Sequence, residues 1–235
     1  MFSIALSEFR MLIRNKLVAA CAIFIPLAFG AFFLINPNPN GSSTVAVLQL
    51  LVMILMGVYV TATTTLAARR QTLFLKRLRS GSVSDISILS GLVLPIMIVS
   101  AIQVGIVLTV LALTSEAPPV HAWLLVIAVI AAEVMFTGFA LATAGLTNSP
   151  EHAQVTTLPL FFAVFGVALW VVFTGTSDLT WVKRALPGGG LAELVMTAWD
   201  GGDLGNLAVL ILPSIAWAAI ALYAARVMFK WEPRA

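Results

Sequence analysis

The chain has 235 residues, 60% of them apolar and only 10% charged, with a mean hydropathy of +1.04. Soluble domains run at about 45–50% apolar and about 25% charged, so this composition excludes an ordinary water-soluble fold. At about 20 apolar residues per span, the length holds some six spans with short loops as one transmembrane domain, 1–235, and leaves no room for a built-in motor or catalytic domain.

In chain order, Phe2, Leu6, Phe9 and Ile13 recur at helical spacing beside a polar stripe of Ser3, Ser7, Arg10 and Arg14. This pattern suits an amphipathic interface helix lying along the membrane surface; a plain basic flank that only fixes orientation is the alternative. Two apolar runs follow, about 17–35 and 45–68, separated by the turn formers Asn36 to Ser43. The single cysteine, Cys21, lies inside the first run as a small hydrophobe and leaves no intrachain disulfide.

A basic segment, Arg69 to Arg79, precedes a third span at about 84–113, with Ser82 and Asp85 spaced as a helix cap. Pro118-Pro119 marks the next turn before a fourth span at about 122–147. Asn148-Ser149-Pro150-Glu151 then restarts a helix, with Ser149 as N-cap, Pro150 at the first helical position and an acid in the first turn. That fifth span covers about 150–174, and a sixth, about 205–228, follows a long outer segment.

With both termini cytoplasmic, 11 of the 13 Lys and Arg residues fall on the inner side, leaving only Lys183 and Arg184 outside. Trp123, Trp170, Trp181 and Trp199 then sit near the outer boundary, as an aromatic belt would place them. The net charge of +3 is thus a topology signal and implies no nucleic acid.

Catalytic machinery is missing from the sequence. None of Lys16, Lys76, Lys183 or Lys230 follows Gly or precedes Ser or Thr, so there is no Walker A loop. His121 and His152, the only histidines, fall at opposite faces of the membrane and make no metal pair. The chain is expected to be no enzyme and to hold no metal or cofactor.

The segment Arg69 to Gly81 is the most informative. Phe74, Leu75 and Leu78 share one face of a short helix, the basic residues take the rest, and Gly81 can end it. Periodicity leaves two readings open, a headgroup anchor or a docking helix.

Thr72-Leu73, Lys76-Arg77-Leu78-Arg79, Ser82-Val83-Ser84 and Ile88-Leu89 before a span resemble the cytoplasmic loop of type-2 ABC permeases, the membrane subunits of bacterial drug, lipid and polysaccharide exporters. The amphipathic start, six spans, the Ser-Pro-Glu turn and the outer segment before span six extend this likeness over nearly the whole chain. Arg70 and Gln71 stand where such permeases often carry Glu and Gly, and Gly81 or Val83 where a Pro is frequent.

The resemblance implies an ATP-driven pump in the bacterial plasma membrane, with Leu73, Phe74, Leu75, Lys76, Arg77, Leu78 and Arg79 as a coupling helix. That helix would dock on a separate ABC ATPase subunit, present in two copies and carrying the ATP and Mg. It also implies pairing with a second permease half, identical or related. Phe74, Leu75 and Leu78 would be the buried anchors and Lys76, Arg77 and Arg79 the charged rim. The implied cargo is a hydrophobic, antibiotic-like small molecule; the alternatives are a lipid or lipid-linked glycan, or an ion-coupled secondary transporter.

Within the spans, Glu133 is the only carboxylate predicted at depth, where a charge costs about 2.5–3.5 kcal/mol. It is either a contact for a cationic or hydroxylated substrate or a subunit contact, or an acid hydrogen-bonded to a neighbour, with Gln103 matching its depth. Pro26, Pro95, Pro159 and Pro213 permit kinks. In the outer segment, Pro187-Gly188-Gly189-Gly190 breaks the chain between Trp181 and Trp199, which predicts two short re-entrant helices with the glycines packed against a span or a second subunit.

Overall fold

A computed structural model describes residues 41–80 and 84–231, together with Ala28, Ala31 and Phe32. The stripe of Phe2, Leu6, Phe9 and Ile13, the run at 17–35 apart from those three residues, Pro26, Gly81 and Ser82 lie outside the described residues. Helices and short connections make up the rest, with no strand among the described residues. Among the described residues, five helices are long and apolar enough to cross a membrane: Ser42–Gln71, Asp85–Thr114, Ala122–Ala144, Pro150–Thr174 and Leu207–Met228. The chain is thus a multi-pass helical membrane protein.

The first of these is wound in three parts. Helix α1 (Ser42–Ile54) passes into a π-helical turn (Leu55–Val60) and then into α2 (Thr61–Gln71). A short α3 (Phe74–Arg79) links it to α4 (Asp85–Thr114). Next come α5 (Ala122–Ala144) and α6 (Pro150–Thr174), then two short helices, α7 (Thr180–Ala185) and α8 (Gly189–Asp200), and last α9 (Leu207–Met228).

Local chemistry sets the boundaries. At α6 the Ser149 hydroxyl accepts from the His152 amide at 3.2 Å, Pro150 opens the helix and Glu151 lies in its first turn. At α4 the cap is Ser84, which has extended backbone and whose Oγ accepts from the Ser87 amide at 3.3 Å. Pro95, Pro159 and Pro213 lie inside α4, α6 and α9, which continue through them.

Helix α1 is buried on nearly every side, which accounts for a sequence that is apolar all round rather than striped. Helices α4, α6 and α9 instead leave ridges such as Ile98, Ile102 and Ile106, Phe162, and Leu212 and Ile215 uncovered, the surface that hydrocarbon solvates. Small residues set the tightest contact, α5 on α9. A Cβ at Gly138 would lie 2.6 Å from the Ala221 carbonyl carbon, too close for any side chain.

Candidate functional site

The turn from α2 into α3 is built without a glycine. Thr72 and Leu73 turn the chain, with Leu73 in the left-handed region at φ 56° and ψ 16°. A non-glycine residue there costs roughly 1–2 kcal/mol, so the turn must be held by its surroundings. The Thr72 amide and hydroxyl both donate to the Ala68 carbonyl, the Leu73 amide donates to Arg70, and the Leu73 carbonyl accepts from the Arg77 amide at 3.1 Å. These bonds use carbonyls that the end of α2 would otherwise leave open.

Phe74, Leu75 and Leu78 do share a face of α3, but that face is turned into the chain's own core. Leu75 is fully buried, and Phe74 and Leu78 pack half-buried against the same cluster. Leu75 is therefore enclosed by the chain itself, while Phe74 and Leu78 seat the helix with part of their surface. The residues that point away are Leu73, Lys76, Arg77 and Ser80, spaced three, four and seven residues along one ridge and all exposed. Leu73 is 47% exposed, an apolar side chain on a strained turn at the tip of a basic ridge.

The peg is fixed at its flanks. The Arg69 guanidinium lies 5.0 Å from the Phe74 ring centroid, and Arg79 lies 5.1 Å from that of Trp231 while pairing with Asp85 at 3.3 Å. Arg70, read from sequence as one more basic loop residue, is buried, and its Nη1 reaches the Lys230 carbonyl. The ends of α2 and α4, the peg and the segment after α9 thus form one connected unit.

Halfway along the bundle, Glu133 of α5 is only 4% exposed, so it is an interior group of this chain and not a surface contact to another subunit. Neither carboxyl oxygen has a hydrogen-bond partner, and Gln103 does not supply one although it is buried at similar depth. The neighbouring hydroxyl is that of Ser100 on α4, which lies beside the carboxyl without reaching hydrogen-bond geometry. Ser100 Oγ is thus a third buried oxygen without a partner, and Thr137 Oγ1, one turn along α5, is a fourth.

The π turn packs on α4 and α5 at this level, and a Cβ at Gly57 would come within 3.3 Å of Ser100 Oγ. Nearby, Tyr59 Oη and Thr143 Oγ1 are 3.1 Å apart, with Tyr59 tilted against Phe136 at 6.3 Å between ring centroids. Ser100, Tyr59 and the π turn are not picked out by sequence reasoning; the one signal was Gly57 in the middle of a span.

The segment between α6 and α9 forms α7 and α8, broken at Leu186–Gly188. Gly188 takes φ +90°, a Cβ at Gly189 would collide with the Lys183 carbonyl, and one at Gly190 would lie 2.7 Å from Pro213 Cβ. The glycine run therefore packs on α7 and α9. Helix α8 lodges among α1, α5, α6 and α9. Trp199 is buried, with its indole N–H donating to the Ala117 carbonyl at 3.0 Å, so it is a packing residue and not part of an aromatic belt. Trp181, by contrast, is 74% exposed.

Both basic residues of this segment are internally satisfied. Lys183 Nζ donates to Thr174 Oγ1 at 2.8 Å and to the Gly175 carbonyl at 2.6 Å. Arg184 holds Glu193 through two hydrogen bonds of 2.6 Å each, and that carboxylate pushes the guanidinium further above its already high ordinary value.

Among the described residues, no group of three or more His, Cys, Asp or Glu side chains could hold a metal ion. Compared with known protein families and with curated proteins, the chain matches none.

Proposed function

We propose that this chain is the membrane half of an ATP-driven exporter of the type-2 ABC permease kind, working as a pair of halves with two separate ATPase subunits that hold ATP and Mg. The observation that carries the reading is α3, a stiff peg between two membrane-crossing helices whose outward ridge is Leu73, Lys76, Arg77 and Ser80. A peg seated on its own core by Leu75 and clamped by Arg79 passes a push directly into α2 and α4, where a loose loop would dissipate it. Leu73 gives a partner groove an apolar knob, and Lys76 and Arg77 give it charge. In this reading α3 faces the cytoplasm, and the cargo is a hydrophobic small molecule, with lipid or lipid-linked glycan next.

The test is reversal of the ridge. Lys76→Glu with Arg77→Glu gives up the Arg77 guanidinium bond to the Thr72 carbonyl but removes no buried side chain, so insertion and chromatographic behaviour stay unchanged. It releases a co-purifying P-loop ATPase and stops ATP-dependent export. Full retention of the ATPase on the doubly reversed protein overturns the proposal.

Glu133 favours a second reading, an ion-coupled secondary transporter, since an unpartnered interior carboxyl is a common proton or cation relay. Transport that persists without any ATPase and collapses with the ion gradient would select it.

A further inference from the structure

An apolar groove opens on the flank of the bundle between α4 and α5. It has a volume of about 480 Å³ and is walled by Ala101, Gly105 and Leu108 on one side and Leu125, Val129 and Ile130 on the other. This is within the roughly 300–1,000 Å³ of small-molecule sites. Small side chains on α4 make it: Gly105 has open space where a Cβ would stand, and Ala101 lies one turn below.

Glu133 does not line the groove itself but continues its α5 wall: Val129 and Ile130 precede Glu133 by four and three residues and so share its stripe on that helix. Apart from Glu133, no Asp, Glu, Lys or Arg occurs in the middle turns of α1, α4, α5, α6 or α9. The carboxyl therefore has no internal cation to neutralise it among the described residues, and burying it as an ion without one is costly.

We infer that the α4–α5 groove and Glu133 form one binding site for a lipophilic monocation entering sideways from the bilayer, with aromatic or aliphatic bulk in the groove and the positive centre drawn to Glu133. A neutral hydrophobe would fill the groove but leave the carboxyl as it is, and an anion would be repelled, so charge selects among molecules of similar shape. Ser100 and Thr137 supply oxygens for any N–H on the cation. This rests on the exporter reading and narrows its cargo.

The probes are tetraphenylphosphonium and tetraphenylborate, nearly identical in shape and opposite in charge, measured by equilibrium dialysis against the full-length chain in nanodiscs with empty-disc binding subtracted. The wild-type chain should hold the phosphonium at least tenfold more tightly than the borate. Glu133→Gln should weaken phosphonium binding at least tenfold and erase the discrimination, and Gly105→Phe should abolish it with the carboxyl intact. Equal affinity of the wild type for the two ions overturns the inference without reference to any variant, as does wild-type phosphonium affinity in well-folded Glu133→Gln. So does a phospholipid in the groove that the phosphonium fails to displace. Because the isolated chain is used, loss of this site leaves the pump reading to be tested separately, through ATPase retention by the Lys76 and Arg77 ridge.

Discussion

Leu73 and Leu75 are two residues apart on the same peg, and the structure assigns them opposite consequences. Leu75 is fully enclosed, so Leu75→Ala removes apolar volume from a packed interior and should cost about 2–5 kcal/mol. Leu73→Gly relieves a left-handed backbone worth roughly 1–2 kcal/mol. Against that stand about 0.5–1 kcal/mol of extra chain entropy for glycine and about 1 kcal/mol of contact from a side chain already half exposed.

The net for Leu73→Gly is within about 1 kcal/mol of zero. At about 2–4 °C per kcal/mol for a chain of this size, Tm should move by no more than about 4 °C for Leu73→Gly and fall roughly 4–20 °C for Leu75→Ala. Both are read by size-exclusion chromatography of heated, detergent-solubilised protein, with ATPase retention measured at a temperature where each variant is folded. Leu73→Gly should lose the ATPase while keeping its stability. If it keeps the ATPase in full, the outward ridge is not what a partner grips, and the assignment of the peg's two faces is refuted.

Ser84→Ala removes the hydroxyl that caps α4 and should cost about 0.5–2 kcal/mol, visible as a lowered Tm. Gly189→Ala drives a methyl into the Lys183 carbonyl and should destabilise by about 1–3 kcal/mol, again as a loss in Tm; an unchanged value would mean the α7–α8 turn repacks freely. Glu193→Gln leaves Arg184 a single neutral acceptor, with an amide NH2 facing its other N–H, and should cost about 1.5–3 kcal/mol, checked by a double-mutant cycle with Arg184→Gln. The Arg184 value is raised by its partner, so its contribution is complete below the unfolded value and is lost only as pH climbs through the folded one. Thermal stability should accordingly show no step from Arg184 between about pH 6 and about pH 9.

The membrane-crossing helices were legible because each is an apolar run bounded by turn formers, and the start of α6 because Ser149, Pro150 and Glu151 act through local chemistry alone. What depended on packing was not legible. An amphipathic stripe such as Phe74, Leu75 and Leu78 fixes that a face is buried but not whether the chain or a partner buries it. Depth counted along α4 put Gln103 level with Glu133, yet the neighbour is Ser100, one turn away, because the relative shift of two helices is set by contacts across them. Trp199 and Trp181 have the same amphipathic ring; only the carbonyl of Ala117, far away in sequence, decides that one is enclosed and the other bare. In the stretch Leu55–Val60 only Gly57 hints at a change of winding.

That wider turn alters how the long helix Ser42–Gln71 has to be counted. Each α-helical residue advances the phase by about 100°, so one surplus residue accommodated at Leu55–Val60 rotates everything beyond it by about that much against a regular helix. The side-chain compass of Thr61–Gln71 is therefore offset from that of Ser42–Ile54, and a single-residue deletion within 55–60 would realign the two halves rather than break the rod. Arg69, Arg70 and the hook they support would then keep their present bearing, since the regular helix left behind reaches the tip through about the same total rotation, whereas the same deletion on either side of 55–60 would turn them by about 100°.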